Sequence, residues 1–582
     1  MLGKIYQISD NNIYISLSVD AYSIQNLMNL YVLMQDSTGS YIGEIVDVNQ
    51  NKATINMLGE YINGNLVYGF IKRPSFNAKI DLISPNFIQN LIGNYIDENH
   101  SLLIGNSPFY EDVKIYANIN YLFGSHMALF GVTGSGKSCG FASIMQKLIN
   151  KRNLSENMNI IIFDAYGEYH DAFNIENNNK YSFKAYTSGV HEQDEKICIP
   201  PWLLDVDDYA ILLEVTSSHQ LTIIEKALRN VNLFKNPNGK VVKYKNSIIA
   251  SALLDILLSG RPAPQIRDQI VSALSKFNTD ILNLESIIAQ PGYNRTLRQC
   301  LLIDDNNKIN AIELIAAFFQ SFIVDEMIST LPDGSYEYSL RDFADALEFA
   351  LISEGIWKSE KIFDEANILK VRIESLLNSE NSTLFNYQGL ISIEDYIKRL
   401  FTDKFGKKAQ IVNISIDSLD DRFAKTIVKI FSKLLFNYAK SLTNRASTPF
   451  NIILEEAHRY VQNDSDVEIL GYNIFERISK EGRKYGVLLG LISQRPNELS
   501  STCLSQCNNF FLFRMTHPVD VDYLSKAIPN ITSQIINEMK TVPPGHAIVF
   551  GNAFKMPTLV KLELPNPIPN SSNTQIDNIW FE

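Results

Sequence analysis

The eight residues from Gly131 to Ser138 have the types and spacing needed to hold a polyphosphate. They fit the pattern GxxxxGK[ST], in which glycines let backbone N–H groups close around phosphate oxygens. In that pattern Lys137 reaches the β- and γ-phosphates, and the Ser138 hydroxyl is a Mg²⁺ ligand. The predicted chemistry is the binding of ATP with Mg²⁺. The expected nucleotide contacts in this stretch are Gly131, Gly134, Ser135, Gly136, Lys137, Ser138 and Cys139.

The flanking residues decide between a phosphate loop and a glycine-rich turn that matches the pattern by chance. Met127–Phe130 is apolar and predicts a strand, and Phe141–Ile149 continues as an amphipathic helix. A phosphate loop needs this order, because the N–H groups at the helix N-terminus point at the anion. Since both flanks are present, the sequence favours the phosphate loop.

Two glutamates, Glu455 and Glu456, end the apolar run that begins at Asn451. An ATPase needs carboxylates beside the phosphate loop to hold Mg²⁺ and to orient the attacking water. We expect one of the two to bind Mg²⁺ through water and the other to polarise the attacking water. The alternative is a pair of solvated glutamates that cap a helix.

A second acidic site, Asp164 and Glu168, follows the apolar run that ends at Phe163. These carboxylates are expected near the γ-phosphate, as further nucleotide contacts. The alternative is a turn that Asp164 initiates, with Gly167 at a positive φ.

Two further residues could act on the γ-phosphate. Gln494 follows the predicted strand Val487–Ile492 and could sense the phosphate from a neighbouring strand end. Arg483 lies among four cations just before that strand, and it is the candidate arginine finger, a planar cation that stabilises transition-state charge across a subunit boundary. The competing interpretation of Arg483 is an exposed basic helix end.

Composition predicts a soluble protein of three or four domains, with 582 residues of which 45% are hydrophobic and 20% charged. Apolar runs stay below the ~18 residues of a membrane span, and residues 1–10 lack the order of a signal peptide. We therefore expect a cytoplasmic protein without membrane contact. The net charge of −12 gives no overall footprint of a nucleic-acid binder, so any DNA contact must be local.

The order of apolar runs predicts an α/β fold with a largely parallel sheet, an N-terminal small β-barrel and a helical insertion. Residues 1–75 contain short alternating runs, whereas 206–405 lack strand-like runs and show helical periodicity. From about Val542 the chain is rich in proline and is expected to cross a surface in extended form. The predicted domains are 1–98 (barrel and connector), 99–205 (first part of the ATPase core), 206–405 (insertion), 406–541 (second part of the core) and 542–582 (tail).

Taken together, these motifs resemble the HerA-type hexameric DNA translocases of the FtsK/HerA branch of P-loop ATPases, which have a RecA-like core. Besides the barrel, the segments that carry the resemblance are Gly131–Ser138, Asp164–Tyr169, Ile199–Trp202, Leu454–His458, Glu481–Gly486, Ser493–Pro496 and Pro544–Ile548. By that resemblance Lys137, Glu456, Arg483 and Gln494 look like the phosphate lysine, catalytic glutamate, finger and sensor. Glu455, where an Asp is usual, would be the Mg²⁺ ligand.

The resemblance implies a homohexamer with ATP at subunit interfaces and double-stranded DNA in the pore. It also implies a partner effector, a nuclease or a sirtuin-type NAD hydrolase, which docks on the barrel and acts in anti-phage defence or DNA end processing. Two other functions stay open. One is a ring scaffold that assembles the effector without processive DNA movement. The other, a secretion-type coupling ATPase, is disfavoured because the sequence lacks a membrane anchor.

Overall fold

The fold comes from a computed structural model. It describes residues 1–18, 27–63, 65–175, 181–189, 194–235, 239–290, 293–324, 336–353, 360–462, 466–528, 531–571, 576 and 580. Four hydrophobic cores organise these residues: one in the N-terminal sheet, one on each face of a central sheet, and one in a helical region. Every described helix is too short or too polar to span a bilayer.

The N-terminal part is an antiparallel sheet that curls into a small barrel. Alternate residues such as Ala53, Ile55 and Met57 are buried, because successive side chains of a strand point to opposite faces. The Leu2 N–H donates to the Ile80 carbonyl at 2.6 Å, so the first and last strands meet. The elements are β1 (Gly3–Ser9), β2 (Asn12–Leu17), β3 (Tyr31–Asp36), β4 (Gly39–Asn49), β5 (Lys52–Ile62), β6 (Asn65–Tyr68), β7 (Lys79–Leu82) and α1 (Pro85–Ile92).

The first part of the central domain contains the predicted strand, loop and helix around the phosphate loop. Its strands are buried on both faces, with Met127 and Leu129 in one core and Ala128 and Phe130 in the other. The elements are β8 (Ser101–Asn106), β9 (Lys114–Asn118), α2 (Ile119–Phe123), β10 (Met127–Phe130), α3 (Lys137–Ile149), β11 (Ile160–Asp164), α4 (His170–Phe173), β12 (Phe183–Thr187) and β13 (Glu195–Lys196).

The predicted insertion is mainly helical, with one short hairpin. Its distal helices have their own core, which includes Leu253, Ile270 and Phe319. The elements are α5 (Val206–Leu212), α6 (Ser218–Lys235), α7 (Gly239–Leu257), α8 (Ala263–Lys276), β14 (Ile287–Gln290), β15 (Tyr293–Thr296), α9 (Leu297–Cys300), α10 (Ile312–Gln320), α11 (Leu340–Ser353), α12 (Glu360–Leu377) and α13 (Ile393–Leu400).

The second part of the central domain completes the sheet. The elements are β16 (Ile411–Ser415), α14 (Asp421–Ser441), β17 (Phe450–Leu454), α15 (Asp466–Leu470), α16 (Ile474–Tyr485), β18 (Val487–Ser493), α17 (Ser501–Ser505), β19 (Asn509–Leu512), α18 (Pro518–Ala527), α19 (Ser533–Met539), β20 (His546–Gly551) and β21 (Thr558–Leu562). The strand order is β13-β12-β16-β11-β17-β18-β10-β19-β20-β21-β8-β9. Pairing is parallel from β13 to β19 and antiparallel beyond. The α/β class with a largely parallel sheet is confirmed.

The C-terminal segment differs from the surface tail expected over 542–582. Strands β20 and β21 extend the central sheet from β19 to β8, and Ile548, Val549 and Val560 are buried. The prolines do not prevent this, because Pro544 and Pro557 lie outside the strands, where no ladder hydrogen bond is lost. This correction moves the end of the ATPase core to about residue 562.

The barrel contacts the central domain through a half-buried polar cluster. The Gln534 side-chain amide on α19 donates to Glu44 and to Glu538, each at 2.9 Å, and accepts a hydrogen bond from the Asn56 amide at 2.6 Å. Burial and the neighbouring Glu538 raise the pKa of Glu44 to about 8. Burial also raises the pKa of Glu538. Near neutral pH this cluster therefore binds a proton that the unfolded chain would release.

We expect the melting temperature to fall as pH rises from about 4.5 to about 8. A carboxyl group with a raised folded pKa stabilises the fold below its unfolded pKa, and this stabilisation is lost as pH rises through the folded pKa. The variant Glu44→Gln should flatten this fall and melt several degrees above wild type at pH 9. Thermal unfolding across this range measures it, with Glu111→Gln, at an exposed glutamate in the loop before β9, as the control. Identical pH profiles for Glu44→Gln and wild type would contradict the prediction.

Candidate nucleotide-binding site

The phosphate loop joins the end of β10 to the start of α3. Gly134 and Gly136 have φ of 73° and 98°, a left-handed region that glycine occupies without strain. A Cβ at Gly131 would lie 2.6 Å from both Phe513 Cβ and Ser135 Oγ. The loop therefore needs its glycines for backbone conformation at two positions and for space at a third.

Hydrogen bonds hold this loop in a closed form. The Val132 carbonyl accepts from the Ser135 hydroxyl at 2.7 Å and from Lys137 Nζ at 3.2 Å. The Val132 N–H donates to the Arg514 carbonyl at 2.9 Å, and the Gly545 N–H donates to the Ser135 carbonyl at 3.3 Å. The loop is thus anchored to the segment after β19 and to the loop before β20. Lys137 caps its own loop and would have to leave the Val132 carbonyl to reach a phosphate.

Glu455 and Glu456 emerge from β17 into the interior, not into solvent. Their exposed fractions are 4% and 8%, which excludes the alternative of solvated surface glutamates. Glu455 Oε2 accepts the Ala165 N–H at 3.1 Å. Burial, followed by the adjacent Asp164, raises the pKa of Glu455 well above its usual range. Glu455 therefore lies against Asp164 and the backbone after β11.

Asp164 forms the turn that the sequence offered as its alternative role. Its two carboxylate oxygens accept the N–H groups of Glu168 at 3.0 Å and Tyr169 at 2.9 Å. The Asn413 side-chain amide donates to Asp164 Oδ2 at 3.2 Å. Gly167, inside the turn, has a φ of 70°. The Asp164 oxygens are thus occupied by the protein, and the turn directs Glu168 toward the phosphate loop.

Glu168, Ser138 and Lys137 form the electrostatic centre of the site. Burial raises the pKa of Glu168, as do Asp164 and Glu456, while the Ser138 hydroxyl and Lys137 oppose the rise. Burial lowers the pKa of Lys137, and the carboxylates of Glu456, Glu455 and Glu168 counteract this. Cys139 lies beside them on α3, and burial raises the pKa of its thiol. One ammonium group therefore faces several buried carboxyl groups. This arrangement suits a polyphosphate that carries a bound cation.

Glu456 has an unusual backbone conformation, with a φ of 47°. A non-glycine residue in the left-handed region is held there by its surroundings, and such strain concentrates at functional sites. His458 Nδ1 lies 3.1 Å from Glu456 Oε2 and 3.1 Å from the Ser493 hydroxyl. The glutamate is thus connected to the last residue of β18.

Gln494 follows Ser493 and reaches the phosphate loop. Its Oε1 accepts a hydrogen bond from the Thr133 hydroxyl at 2.6 Å. Strand β18 lies between β10 and β17, so Gln494 stands between the phosphate loop and the two glutamates. This position is the one that a γ-phosphate sensor requires.

Arg483 does not join these residues within one chain. It is exposed near the end of α16, and β18 begins four residues later at Val487. Since Phe130 pairs with Ser493 in the parallel register, Val487 lies at the opposite end of the sheet from the phosphate loop. Arg483 also contributes to the low pKa of His126, which precedes β10. Within this chain Arg483 therefore lies away from the phosphate loop.

The residues present fit a bound Mg²⁺. Glu168 Oε2 is buried and has no hydrogen-bond partner within the described part of the chain, whereas Glu456 Oε2 is buried with only the His458 ring beside it, at 3.1 Å. Their hard oxygen atoms, with the Ser138 hydroxyl, are ligands that Mg²⁺ prefers. No group of three or more His, Cys, Asp or Glu in the described residues is arranged to hold a metal. This agrees with an ion held mainly by phosphates and water, with one or two protein ligands.

The sequence analysis missed three contacts of the site: Thr133, His458 and Asn413. Each acts through a partner distant in the chain, respectively Gln494, Ser493 and Asp164. Thr133 and His458 had a signal, since each lies within a motif already singled out, Gly131–Ser138 and Leu454–His458. The Cys503 and Cys507 thiols are buried and lie outside the site.

Residues 102–435 match the family model for the central domain of the helicase HerA. The chain is 23% identical over 571 residues to the DNA double-strand break repair helicase HerA of Pyrococcus furiosus, covering 97% of this chain and 85% of the relative. It is 22% identical over 556 residues to a probable DNA double-strand break repair helicase HerA of Methanocaldococcus jannaschii, covering 94% and 92%.

Among solved structures, VirB4 of Thermoanaerobacter pseudethanolicus aligns with a TM-score of 0.45 at 10% identity, covering 81% of this chain and 98% of that one. The family match spans 334 of the 582 residues, from 102 to 435. It includes the phosphate loop, the turn at Asp164 and the helical insertion. Because this match spans more than half of the chain, the chain belongs to the HerA helicase family.

Proposed function

We propose that this chain is an ATP-driven translocase of double-stranded DNA that works as a homohexamer. The observation that carries the proposal is the convergence of Lys137, Glu456 and Gln494 at the carboxyl edge of the sheet, in a chain of the HerA helicase family. Two relatives are described as DNA double-strand break repair helicases, which supports duplex DNA as the polymer.

Each residue of the site has a distinct task in this proposal. The loop N–H groups and Lys137 bind the β- and γ-phosphates. Glu456 accepts the proton of the attacking water, and His458 orients the glutamate carboxylate. Gln494 senses the γ-phosphate and is hydrogen-bonded to Thr133 of the phosphate loop. Mg²⁺, when bound, would neutralise charge on the phosphate oxygens, and Ser138 with Glu455 or Glu168 would hold it.

The experiment that tests the function is ATP hydrolysis by the purified chain with and without linear duplex DNA. It is run at low salt, because phosphate contacts weaken steeply as salt rises. Stimulation by DNA is the expected result, with Lys137→Ala as the inactive control. Hydrolysis that requires Lys137 but ignores DNA, even with the partner protein present, would instead favour the ring scaffold.

The position of Arg483 supports an assembly in which neighbouring subunits complete each other's sites. Because this side chain lies at the far end of its own sheet, a ring in which each subunit offers Arg483 to its neighbour would complete the site. We expect Arg483→Ala to lower kcat by about 10³-fold or more while the ring persists, since a finger in trans stabilises charge only in the transition state.

Rings assembled from two different variants test whether Arg483 acts in trans. Rings that combine Arg483→Ala subunits with Lys137→Ala subunits should regain hydrolysis at the interfaces where an intact finger meets an intact loop. The matched control is Lys484→Ala, the adjacent exposed cation on α16. Mixed rings as inactive as either parent would show that Arg483 does not act in trans.

The finer part of the proposal is a partner effector, a nuclease or a sirtuin-type NAD hydrolase, that docks on the barrel in anti-phage defence or DNA end processing. Its support is an apolar surface on the barrel: Ile62, Val67 and Ile71 are exposed, Ile71 at 95%. The variant Ile71→Asp should weaken co-purification with the co-encoded effector, and Leu564→Asp, exposed after β21, is the control. Equal recovery of the effector by both variants would reject the barrel as its docking surface.

A further inference from the structure

The structure assigns a phosphate-binding pocket to a cleft between α5, α12, α14 and α15, and we propose that it binds a phosphodiester group of duplex DNA. The pocket has a volume of about 370 Å³. Its charged lining residues are Arg372, Arg422, Lys425 and Lys429, with Glu214 and Asp466 as the only carboxylates among the lining residues described. This inference rests on the proposed function, because it names the site at which the translocase holds its DNA.

The charge of this pocket contrasts with that of the whole protein. Four cationic side chains against two carboxylates leave a formal charge of +2 in the lining, whereas the chain carries −12. A DNA contact on an acidic protein must be a local concentration of positive charge. The four cations of this pocket meet that requirement.

The cations on α14 share one face of the helix. Arg422, Lys425 and Lys429 are spaced three and four residues apart, a spacing that puts side chains on the same side. Lys429 lies deepest, with its side chain 3% exposed and its Nζ 2.5 Å from Asp466. Arg422 and Lys425 lie nearer the solvent. The pocket therefore has a buried Lys429–Asp466 ion pair at its floor and more accessible cations at its mouth.

The remaining cation is fixed by backbone carbonyls. Arg372 on α12 donates through Nη1 to the Leu213 carbonyl at 2.7 Å and also to the Glu214 carbonyl. The Glu214 carboxylate pairs with Arg422. Glu214 has a positive φ of 52°. These contacts orient two guanidinium groups before any ligand arrives, and guanidinium groups bind phosphate through paired N–H donors.

The pocket is connected to the catalytic glutamate. Arg459, three residues after Glu456, pairs with Asp421 in the first turn of α14. Gln462 accepts a hydrogen bond from Lys425 Nζ at 3.3 Å. The segment from 456 to 462 thus touches α14 beside the proposed phosphate contacts. A phosphate drawn to Arg422 and Lys425 would shift the segment that holds Glu456 in its left-handed conformation, which links DNA contact to hydrolysis.

The test is binding of linear duplex DNA to the full chain by fluorescence anisotropy over a range of salt concentrations. The variants are Arg422→Glu, Lys425→Glu and the milder Lys425→Gln. The matched control is Arg298→Glu. Arg298 is also an exposed arginine, it pairs with Glu285 at 2.8 Å, and it lies in the helical insertion. Melting temperatures verify that each variant is folded.

We expect each charge reversal to weaken DNA binding and to reduce the slope of log K against log salt by about 1, the value for one lost phosphate contact. Lys425→Gln should act in the same direction, and Arg298→Glu should retain the wild-type slope. If wild type binds DNA and the pocket variants match it in affinity and slope, the inference fails while the proposed function stands. If wild type binds no DNA at low salt, both fail.

A titration with inorganic phosphate distinguishes a site for the phosphodiester groups of DNA from a site for free phosphate. Phosphate is titrated against Lys137→Ala and the double variant Lys137→Ala/Lys425→Gln, so that the phosphate loop does not contribute, and the rise in melting temperature is measured. A pocket for DNA should lose both the phosphate effect and the DNA slope in the variant. Loss of the phosphate effect alone, with unchanged DNA binding, would mean a site for free phosphate and would overturn the assignment.

Discussion

Replacing Glu456 with glutamine is expected to lower kcat by about 10²- to 10⁴-fold while ATP still binds. The amide keeps the shape of the carboxylate but cannot accept the proton of the attacking water. Because Glu456 is buried and faces Lys137 and Glu168, no solvent carboxylate replaces it. Single-turnover hydrolysis measures the chemical step, and a fluorescent ATP analogue measures the affinity.

The control for this variant is Glu313→Gln, an exposed glutamate on α10 in the insertion, which should hydrolyse ATP as wild type does. A Glu456→Gln protein with full activity would move the proton acceptor elsewhere, and Glu455→Gln would then be the next variant. Loss of both activity and ATP affinity would mean that Glu456 shapes the site and does not only act on water.

The second large effect is expected for Lys137→Ala, which should weaken ATP binding by about 10- to 100-fold and reduce hydrolysis below detection. A charge-assisted hydrogen bond contributes about 1.5–3 kcal/mol, which corresponds to that loss of affinity. Removing the ammonium also leaves Glu168, Glu455 and Glu456 without the cation that counters them. The nucleotide's negative charge would then meet only carboxyl groups.

Equilibrium binding of a fluorescent ATP analogue measures this loss. Lys147→Ala is the matched control. Lys147 lies on the same helix α3, ten residues after Lys137, and pairs with Glu563 at 3.1 Å. It should lower stability slightly and leave ATP affinity unchanged. If Lys137→Ala binds and hydrolyses ATP normally, the phosphate loop is not the nucleotide site.

The predictions that the structure bears out rest on contiguous residues. The strand before Gly131 and the helix after Lys137 are present, and the apolar runs at 160–164, 411–415, 450–454 and 487–493 are parallel strands. Glu455 and Glu456 follow the end of β17, the position that the sequence predicted for them. Such features depend on side-chain periodicity and on local backbone conformation, so a single segment contains the information.

The residues whose position differed from expectation depend on distant contacts. The carboxylate of Asp164 accepts hydrogen bonds from the Tyr169 N–H, within the turn, and from the side-chain amide of Asn413, which is distant in the sequence. The proline-rich segment after Val542 supplies two sheet strands, β20 and β21. They pair with β19 and β8, and local composition does not reveal these partners. Arg483, which was predicted to act across a subunit boundary, is no exception to its prediction: it lies away from its own phosphate loop because the parallel register puts the start of β18 at the opposite end.

The phosphate loop, the strand-end glutamates, the α/β class and the resemblance to HerA-type motors can be recognised in the sequence, since each depends on neighbouring residues. Three other features arise from the packing of the whole chain: His458 joins Glu456 to Ser493, Gln494 bonds Thr133, and cations from α12 and α14 meet in one pocket. These contacts join segments tens to hundreds of residues apart. Their formation depends on how helices and strands pack around a shared core, which local periodicity does not specify.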